Sequence, residues 1–216
     1  MNNERYLQEI DKSLRTVVSQ FYYRPHLFFN EVNFHNYCFA VFYRRPLFTK
    51  LFKTKDGKLT NLIHPEYGSA LKLDKSGKEG RAWYDMAILS PGFVENNDFN
   101  RVTSNYFAQI KKNGYKNDDL LAVVEFKFIK QHLENFKKQI RKDYNSLKNA
   151  KEVVKKYMVI FSLLEDGGDY FGGMDWIQDL RLIYARVYFD KNNKKHFKVI
   201  IKPNNFLNLP PSWLKE

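Results

Sequence analysis

The most strongly patterned stretch of the chain is residues 120–128, which read L-L-A-V-V-E-F-K-F and include seven apolar residues in nine. A run this short, rich in β-branched and aromatic residues, predicts a strand buried on both faces in the middle of a sheet. Two charged residues, Glu125 and Lys127, lie inside it. Because side chains alternate along a strand, both are expected to point to the same side. Buried charges of this kind need a partner or a function.

A helical pattern opens the chain. Residues 4–20 carry apolar side chains at helical spacing, and a second helix is predicted from about Asn30, whose side chain is a typical N-cap. Glu31 lies one turn before Phe34, on the apolar side of this second helix. The helix dipole alone favours an acid in the first turn, and a role in a functional site is the alternative.

Strand-like segments come next, separated by turn signals. Residues 59–73 contain strand material interrupted at Pro65 and at a later glycine, and residues 81–90 form a second apolar strand that contains one acid, Asp85. Strand propensity and burial both disfavour a lone aspartate there, so Asp85 is expected to meet a partner or to serve a function. The long gap before the following strand predicts a helical insertion at about 98–114.

The last third of the chain alternates between helical and strand-like patterns of apolar residues. The predicted elements are a helix at 131–149, a buried strand at 157–164, a helix at 176–189 and a strand at 196–201. Gln139 and Asp143 border the apolar stripe of the first of these helices, and basic residues surround it. The core order is therefore helix, strand, strand, strand, helix, strand, which predicts an α/β fold with a mixed central sheet flanked by helices.

Composition indicates the class of partner. The 216 residues (25.9 kDa) are 44% hydrophobic, enough to bury a core, and residues 1–216 are interpreted as a single domain. The formal net charge is +12 and the isoelectric point is near 9.5. A surplus this large favours a polyanionic partner through counterion release. Charge alone separates neither nucleic acid from an acidic membrane surface nor a binding protein from an enzyme.

Other sequence features narrow the functional classes. The single cysteine, Cys38, excludes an internal disulfide and a Cys-rich zinc site, which favours a reducing compartment. The histidines form no H-E-x-x-H pair, and neither a P-loop nor a G-x-G-x-x-G motif occurs. No run approaches the roughly 18 apolar residues of a membrane span, and the first residues do not resemble a signal peptide. We expect a cytoplasmic protein with no membrane association, and abundant Asn, Lys, Phe and Tyr suggest a microbial or viral origin.

The element order and the positions of the charged residues resemble the PD-(D/E)xK nuclease superfamily, to which restriction endonucleases and archaeal Holliday-junction resolvases belong. Asp85 matches the first acid of the motif, and Glu125 and Lys127 match its E-x-K. Glu31 matches the helical glutamate found in many members. The chain departs from the pattern in having Tyr84 where the motif has proline, and in the longer gap between its two acids.

The resemblance implies both a fold and an activity. The fold would be a restriction endonuclease-like α-β-β-β-α-β core over about residues 30–164, with the insertion at 98–114 and a C-terminal helix–strand extension at 174–216. The activity would be that of a nuclease dependent on Mg²⁺ or Mn²⁺ that hydrolyses phosphodiester bonds in DNA, with RNA left open. A homodimer is compatible with this activity, because cutting two strands is simplest with two sites.

The resemblance also assigns roles to individual residues. Asp85, Glu125 and Glu31 would bind the metal ion, since hard cations prefer oxygen ligands. Lys127 would position or help to deprotonate the attacking water and offset negative charge. The residues expected to contact the DNA backbone, all on the helix after Lys127, are Gln139, Lys138, Arg141 and Lys142.

Two other interpretations stay open. A non-catalytic nucleic-acid-binding protein with a nuclease-like or other α/β fold predicts salt-sensitive binding that does not depend on Asp85 or Glu125. A basic scaffold protein, in which Glu125 and Lys127 form only a structural ion pair, predicts no metal-dependent stabilisation. Asp143 resembles a downstream feature of some superfamily members, and an ion pair with neighbouring lysines explains it equally well.

Overall fold

The computed structural model describes residues 3–68, 72–73, 79–80, 83–103, 119–130, 133–163 and 177–214. The helices are α1 (Asn3–Tyr23), α2 (Glu31–Tyr43), α3 (Pro46–Thr49), α4 (Pro91–Asn96), α5 (Phe99–Thr103) and α6 (Leu133–Asn149), with 3₁₀ turns at Pro25–Leu27 and Pro211–Trp213. The strands are β1 (Phe52–Lys53), β2 (Leu59–Thr60), β3 (Ile63–Gly68), β4 (Lys72–Leu73), β5 (Glu79–Gly80), β6 (Trp83–Leu89), β7 (Leu120–Ile129), β8 (Val153–Leu163), β9 (Arg181–Phe189) and β10 (Lys195–Lys202). Most of the predicted insertion lies outside the described residues.

Six strands form one mixed sheet in the order β3-β6-β7-β8-β9-β10. β6 pairs antiparallel with both β3 and β7, β8 pairs parallel with β9, and β10 returns antiparallel to β9. α6 connects β7 to β8, and the two strands begin at the same end of the sheet. There the Leu120 amide donates to the Glu152 carbonyl oxygen at 3.1 Å. The predicted α/β fold with a mixed sheet is confirmed. Two small ladders, β1–β2 and β4–β5, lie outside this sheet.

The elements with the clearest patterns lie where they were predicted. All ten residues of β7 are buried, and the strand has neighbours on both sides. α1 and α2 coincide with the two predicted N-terminal helices. α2 begins with the predicted cap, because the Asn30 Oδ1 atom accepts a hydrogen bond from the Asn33 amide at 2.7 Å.

The helix predicted at 176–189 is wrong. Arg181–Phe189 forms strand β9, which lies between β8 and β10. A strand with neighbours on both sides is apolar on both faces, and this hides the period of two that would distinguish it from a helix. The extension at 174–216 is therefore two strands in its described part, rather than a helix and a strand.

The predicted interruption at Pro65 is also wrong. β3 runs through Pro65, which lies opposite Met86 of β6. Proline lacks the amide hydrogen that a ladder needs, but among the described strands β3 is the outer one at its edge of the sheet, and β6 is its one neighbour there. An outer strand is the position in a sheet where proline is tolerated.

Backbone packing divides the chain into two compact units. The first unit comprises Met1–Glu9, Tyr43–Glu125 and Asn145–Lys156. Its interior contains a buried polar contact in which the Tyr84 hydroxyl donates to the Glu152 carboxylate at 2.8 Å. The hydroxyl of Tyr67 donates to the Val102 carbonyl oxygen at 3.0 Å, and burial raises the pKa of Tyr67 well above its usual value. These bonds satisfy polar groups that would be costly to bury alone.

The second unit has a core built from aromatic rings. It comprises Ile10–Phe42, Phe126–Tyr144 and Tyr157–Glu216. The Phe161 ring of β8 stacks on Phe21 of α1 and on Phe34 of α2, with ring centroids 4.2 and 4.5 Å apart. Three aromatic side chains therefore tie both helices to the sheet. The interpretation of residues 1–216 as one domain stays a prediction.

Candidate functional site

Two predicted site residues, Asp85 and Glu125, lie on the neighbouring strands β6 and β7 in the first unit. β6 and β7 pair antiparallel, and their ladder ends with Met86 opposite Val124. Asp85 and Glu125 are the next residues beyond that end, and one further step in the same register would set them opposite each other. Directly opposed residues project from the same face of a sheet, with Cβ atoms about 5 Å apart. We call Asp85 and Glu125 the carboxylate pair.

Both carboxylates of the pair are at least partly removed from water. Glu125 is 5% exposed and Asp85 is half-buried. Carboxylates held this close repel each other unless a cation or a proton offsets their charge. Mg²⁺ is often bound by one or two protein carboxylates, with water and phosphate oxygens completing its shell. The donor set of the carboxylate pair therefore fits Mg²⁺ or Mn²⁺.

No larger metal-ligand group accompanies the pair in the part of the chain that the structure describes. Across those residues, no three or more His, Cys, Asp or Glu side chains are arranged to hold a metal ion. A metal ion on the carboxylate pair would thus take most of its ligands from water or from a substrate phosphate. The predicted ligation of the same ion by Glu31 stays a prediction.

The second unit holds the predicted lysine in a cluster of its own. Lys127 is 7% exposed, and its Nζ atom lies 3.4 Å from Glu31 Oε1 and 3.4 Å from Asp143 Oδ2. The same ammonium donates to the Phe126 carbonyl oxygen at 2.9 Å. We call Lys127, Glu31 and Asp143 the lysine cluster. The negative charge of the two carboxylates offsets part of the cost of burying the ammonium charge.

Three different elements supply the lysine cluster. Lys127 comes from the buried strand β7, and Glu31 is the first residue of α2, fixed by the Asn30 cap. Asp143 comes from α6, where the neighbouring Tyr144 is buried and its hydroxyl donates to Asp179 at 3.0 Å. Glu31, predicted as a metal ligand, is thus ion-paired with the lysine of the E-x-K motif.

The residues predicted to bind DNA form an exposed surface on α6. Gln139, Lys138, Arg141 and Lys142 are all exposed. On the opposite side of the helix, Ile140 and Leu147 are fully buried, so the helix is anchored by its apolar stripe. The exposed cations are therefore available to a polyanion, although exposure alone is also what solubility requires.

Two contacts near these residues were not predicted from the sequence. Asp143 was interpreted either as a downstream feature of the superfamily or as the ion-pair partner of neighbouring lysines, and the structure places it 3.4 Å from the Lys127 Nζ atom. The one local signal is its position next to Tyr144, on the buried side of α6. The hydrogen bond from Tyr84 to Glu152 joins residues 68 positions apart, and no local pattern reveals it.

Comparisons with known proteins leave the family open. No protein-family model, no curated protein and no solved structure matches the chain. Within the described ranges, no helix is both long and apolar enough to cross a membrane. The resemblance to the PD-(D/E)xK superfamily therefore depends on its motif and on the order of its elements.

Proposed function

We propose that this protein is a metal-dependent nuclease of the PD-(D/E)xK type that hydrolyses phosphodiester bonds in DNA. The observation that supports this most strongly is the position of Asp85 and Glu125 on neighbouring strands, each one step beyond the Met86–Val124 pair that ends their ladder. Lys127 follows two residues after Glu125 on the same strand, as an E-x-K motif requires.

The order of elements supports the same proposal. A restriction endonuclease-like core needs a helix, three strands, a crossover helix and a fourth strand. α2, β3, β6, β7, α6 and β8 occur in this order, and the four strands are successive neighbours in the sheet. On this proposal, β9 and β10 extend the core, while the short elements between β3 and β7 are additions to it.

Each residue would have a distinct task in hydrolysis. Asp85 and Glu125 would hold the metal ion through their carboxylate oxygens. Mg²⁺ or Mn²⁺ bound there would polarise the phosphoryl group and make a water molecule more acidic. The Lys127 ammonium would donate a hydrogen bond to a phosphoryl oxygen or to the attacking water, and its charge would offset the negative charge that develops.

Glu31 would act on the same reaction from α2. Its carboxylate lies 3.4 Å from the Lys127 Nζ atom, which supports a role in holding the ammonium. Binding of the metal ion by Glu31, directly or through water, is the second role that the resemblance implies. The two roles differ in one measurable respect, because only the second requires Glu31 for metal affinity.

Cleavage assays test the proposed function directly. Supercoiled, linear and branched DNA would each be incubated with the protein in Mg²⁺, in Mn²⁺ and in EDTA. We expect cleavage with a metal ion and none in EDTA, because the carboxylate pair cannot activate water by itself. DNA that is bound but left intact with both metals would favour the non-catalytic interpretation. That interpretation has its own support in the lysine cluster, whose ion pairs a purely structural role would also explain.

The exposed cations of α6 give a separate prediction about DNA binding. Replacing Lys138, Arg141 and Lys142 together by alanine should weaken binding and lower the slope of log K against log salt by about 3. Binding would be measured by fluorescence anisotropy over a salt series in EDTA. A control variant removes three exposed cations of α1, namely Arg5, Lys12 and Arg15. An equal fall in slope for both variants would mean that α6 is no preferred contact surface.

A further inference from the structure

Among the described residues, three oxygen atoms lie within 3.5 Å of the Lys127 Nζ atom. These atoms are Phe126 O at 2.9 Å, Glu31 Oε1 at 3.4 Å and Asp143 Oδ2 at 3.4 Å. The lysine side chain is 9% exposed, whereas Glu31 is 39% and Asp143 is 22% exposed. The two carboxylates therefore differ in environment although they lie at equal distances.

Asp143 is the more firmly held of the two acids. It lies on α6 between the buried residues Ile140 and Tyr144, and Tyr144 is tied to Asp179 through its hydroxyl. Glu31 is the first residue of its helix and has the more exposed side chain. A helix interior with buried neighbours limits side-chain motion more than a helix end does.

We propose that Asp143 is a positioning residue, which orients the Lys127 ammonium for the hydrolytic step. This inference rests on the proposed nuclease function and assigns a task that the E-x-K resemblance does not require. An ammonium on a flexible stem of four carbons can point in many directions, and orientation of a reacting group is worth large factors in rate. The fixed carboxylate of Asp143 removes much of that freedom.

The kinetic test compares two substitutions with a matched control. Asp143→Asn keeps the size of the side chain and removes its charge, while Asp143→Glu keeps the charge and shifts its position. We expect Asp143→Asn to lower kcat by roughly 10- to 100-fold while KM changes by less than about threefold, since Asp143 acts on orientation rather than on binding. Asp143→Glu should recover part of the loss. Asp190→Asn, which removes a carboxylate ion-paired with His196 elsewhere in the second unit, should leave kcat unchanged.

A chemical readout tests the contact independently of catalysis. The rate at which acetic anhydride modifies Lys127 would be measured by mass spectrometry, with exposed Lys138 as the internal reference. Loss of a neighbouring carboxylate removes a contact that holds the ammonium, and the freed side chain reaches the reagent more often. Lys127 should therefore be modified several-fold faster in Asp143→Asn than in the wild type or in Asp190→Asn, with Lys138 unchanged.

The outcomes separate this inference from the proposed function. Wild-type protein that cuts no DNA with either metal overturns the nuclease proposal, and the positioning role falls with it. Active wild-type protein with an unchanged kcat in Asp143→Asn overturns the positioning role alone, as does a change confined to KM. The positioning role is supported if Asp143→Asn lowers kcat, Asp143→Glu recovers part of the loss and Lys127 is modified faster in Asp143→Asn.

Discussion

Replacing Asp85 by asparagine or Glu125 by glutamine is expected to lower metal-dependent DNA cleavage by about 10³-fold. Each substitution keeps the shape of the side chain and removes one of the two charges that would hold the metal ion. Asp85 on β6 and Glu125 on β7 would each supply one of the two carboxylates, so either change alone should suffice. Cleavage of supercoiled DNA under single-turnover conditions would measure the effect.

Metal binding should be lost together with cleavage. In the wild type, Mn²⁺ at about 100 times its dissociation constant should stabilise the fold by about 2.7 kcal/mol, and this gain should vanish in either variant. Glu95→Gln serves as the control, because Glu95 is an exposed carboxylate of the first unit that lies outside the carboxylate pair. The catalytic assignment fails if cleavage survives both substitutions, or if Mn²⁺ stabilises the wild type and the variants equally.

Replacing Phe28 by alanine is expected to cost about 4 kcal/mol of stability. Phe28 is fully buried, and its ring contacts four others in the second unit. These rings are Phe21, Phe34, Tyr37 and Phe161, with centroid distances of 5.0–5.8 Å. Truncation would leave a cavity among side chains that belong to α1, α2 and β8 and cannot easily close it. For a chain of this size the midpoint of thermal unfolding should fall by roughly 8–16 °C.

The adjacent residue supplies a matched control for this substitution. Phe29 has the same side chain and is 56% exposed, so Phe29→Ala should change stability by no more than about 0.5 kcal/mol. Thermal unfolding followed by circular dichroism would compare the two variants at the same pH and salt concentration. Equal losses for both would show that Phe28 is not a core residue of this protein.

The parts of the fold that the sequence predicted well share one property. β7 is an unbroken run of ten buried residues, and α1 and α2 bury apolar side chains at helical spacing. In each case the pattern is long and continuous enough to identify the element. β9 was mistaken for a helix because its buried run is also without alternation and contains Arg186, so its sequence shows neither the period of a strand nor an uninterrupted apolar stretch.

The candidate site was predictable in its residues but not in its contacts. Asp85, Glu125 and Lys127 stand out because charge is unusual in apolar strands. Their partners depend on strand register and on the packing of distant helices, which no local pattern encodes. The register of β6 against β7 decides which residue faces Asp85, and the placement of α6 decides that Asp143 meets Lys127. Both require the assembled sheet.

The outer strands of the six-stranded sheet limit how copies of this protein could associate. β3 presents Pro65, which has no amide hydrogen to offer, and the next residue, Glu66, has a backbone φ of +44° that breaks the ladder geometry. β10 carries several lysines, and Val199 is already bridged to Leu214. Exposed edges are ordinarily templates for further strands, and proline, irregular backbone and lysine are the features that block such growth. A homodimer of this chain would therefore not form by joining two sheets edge to edge.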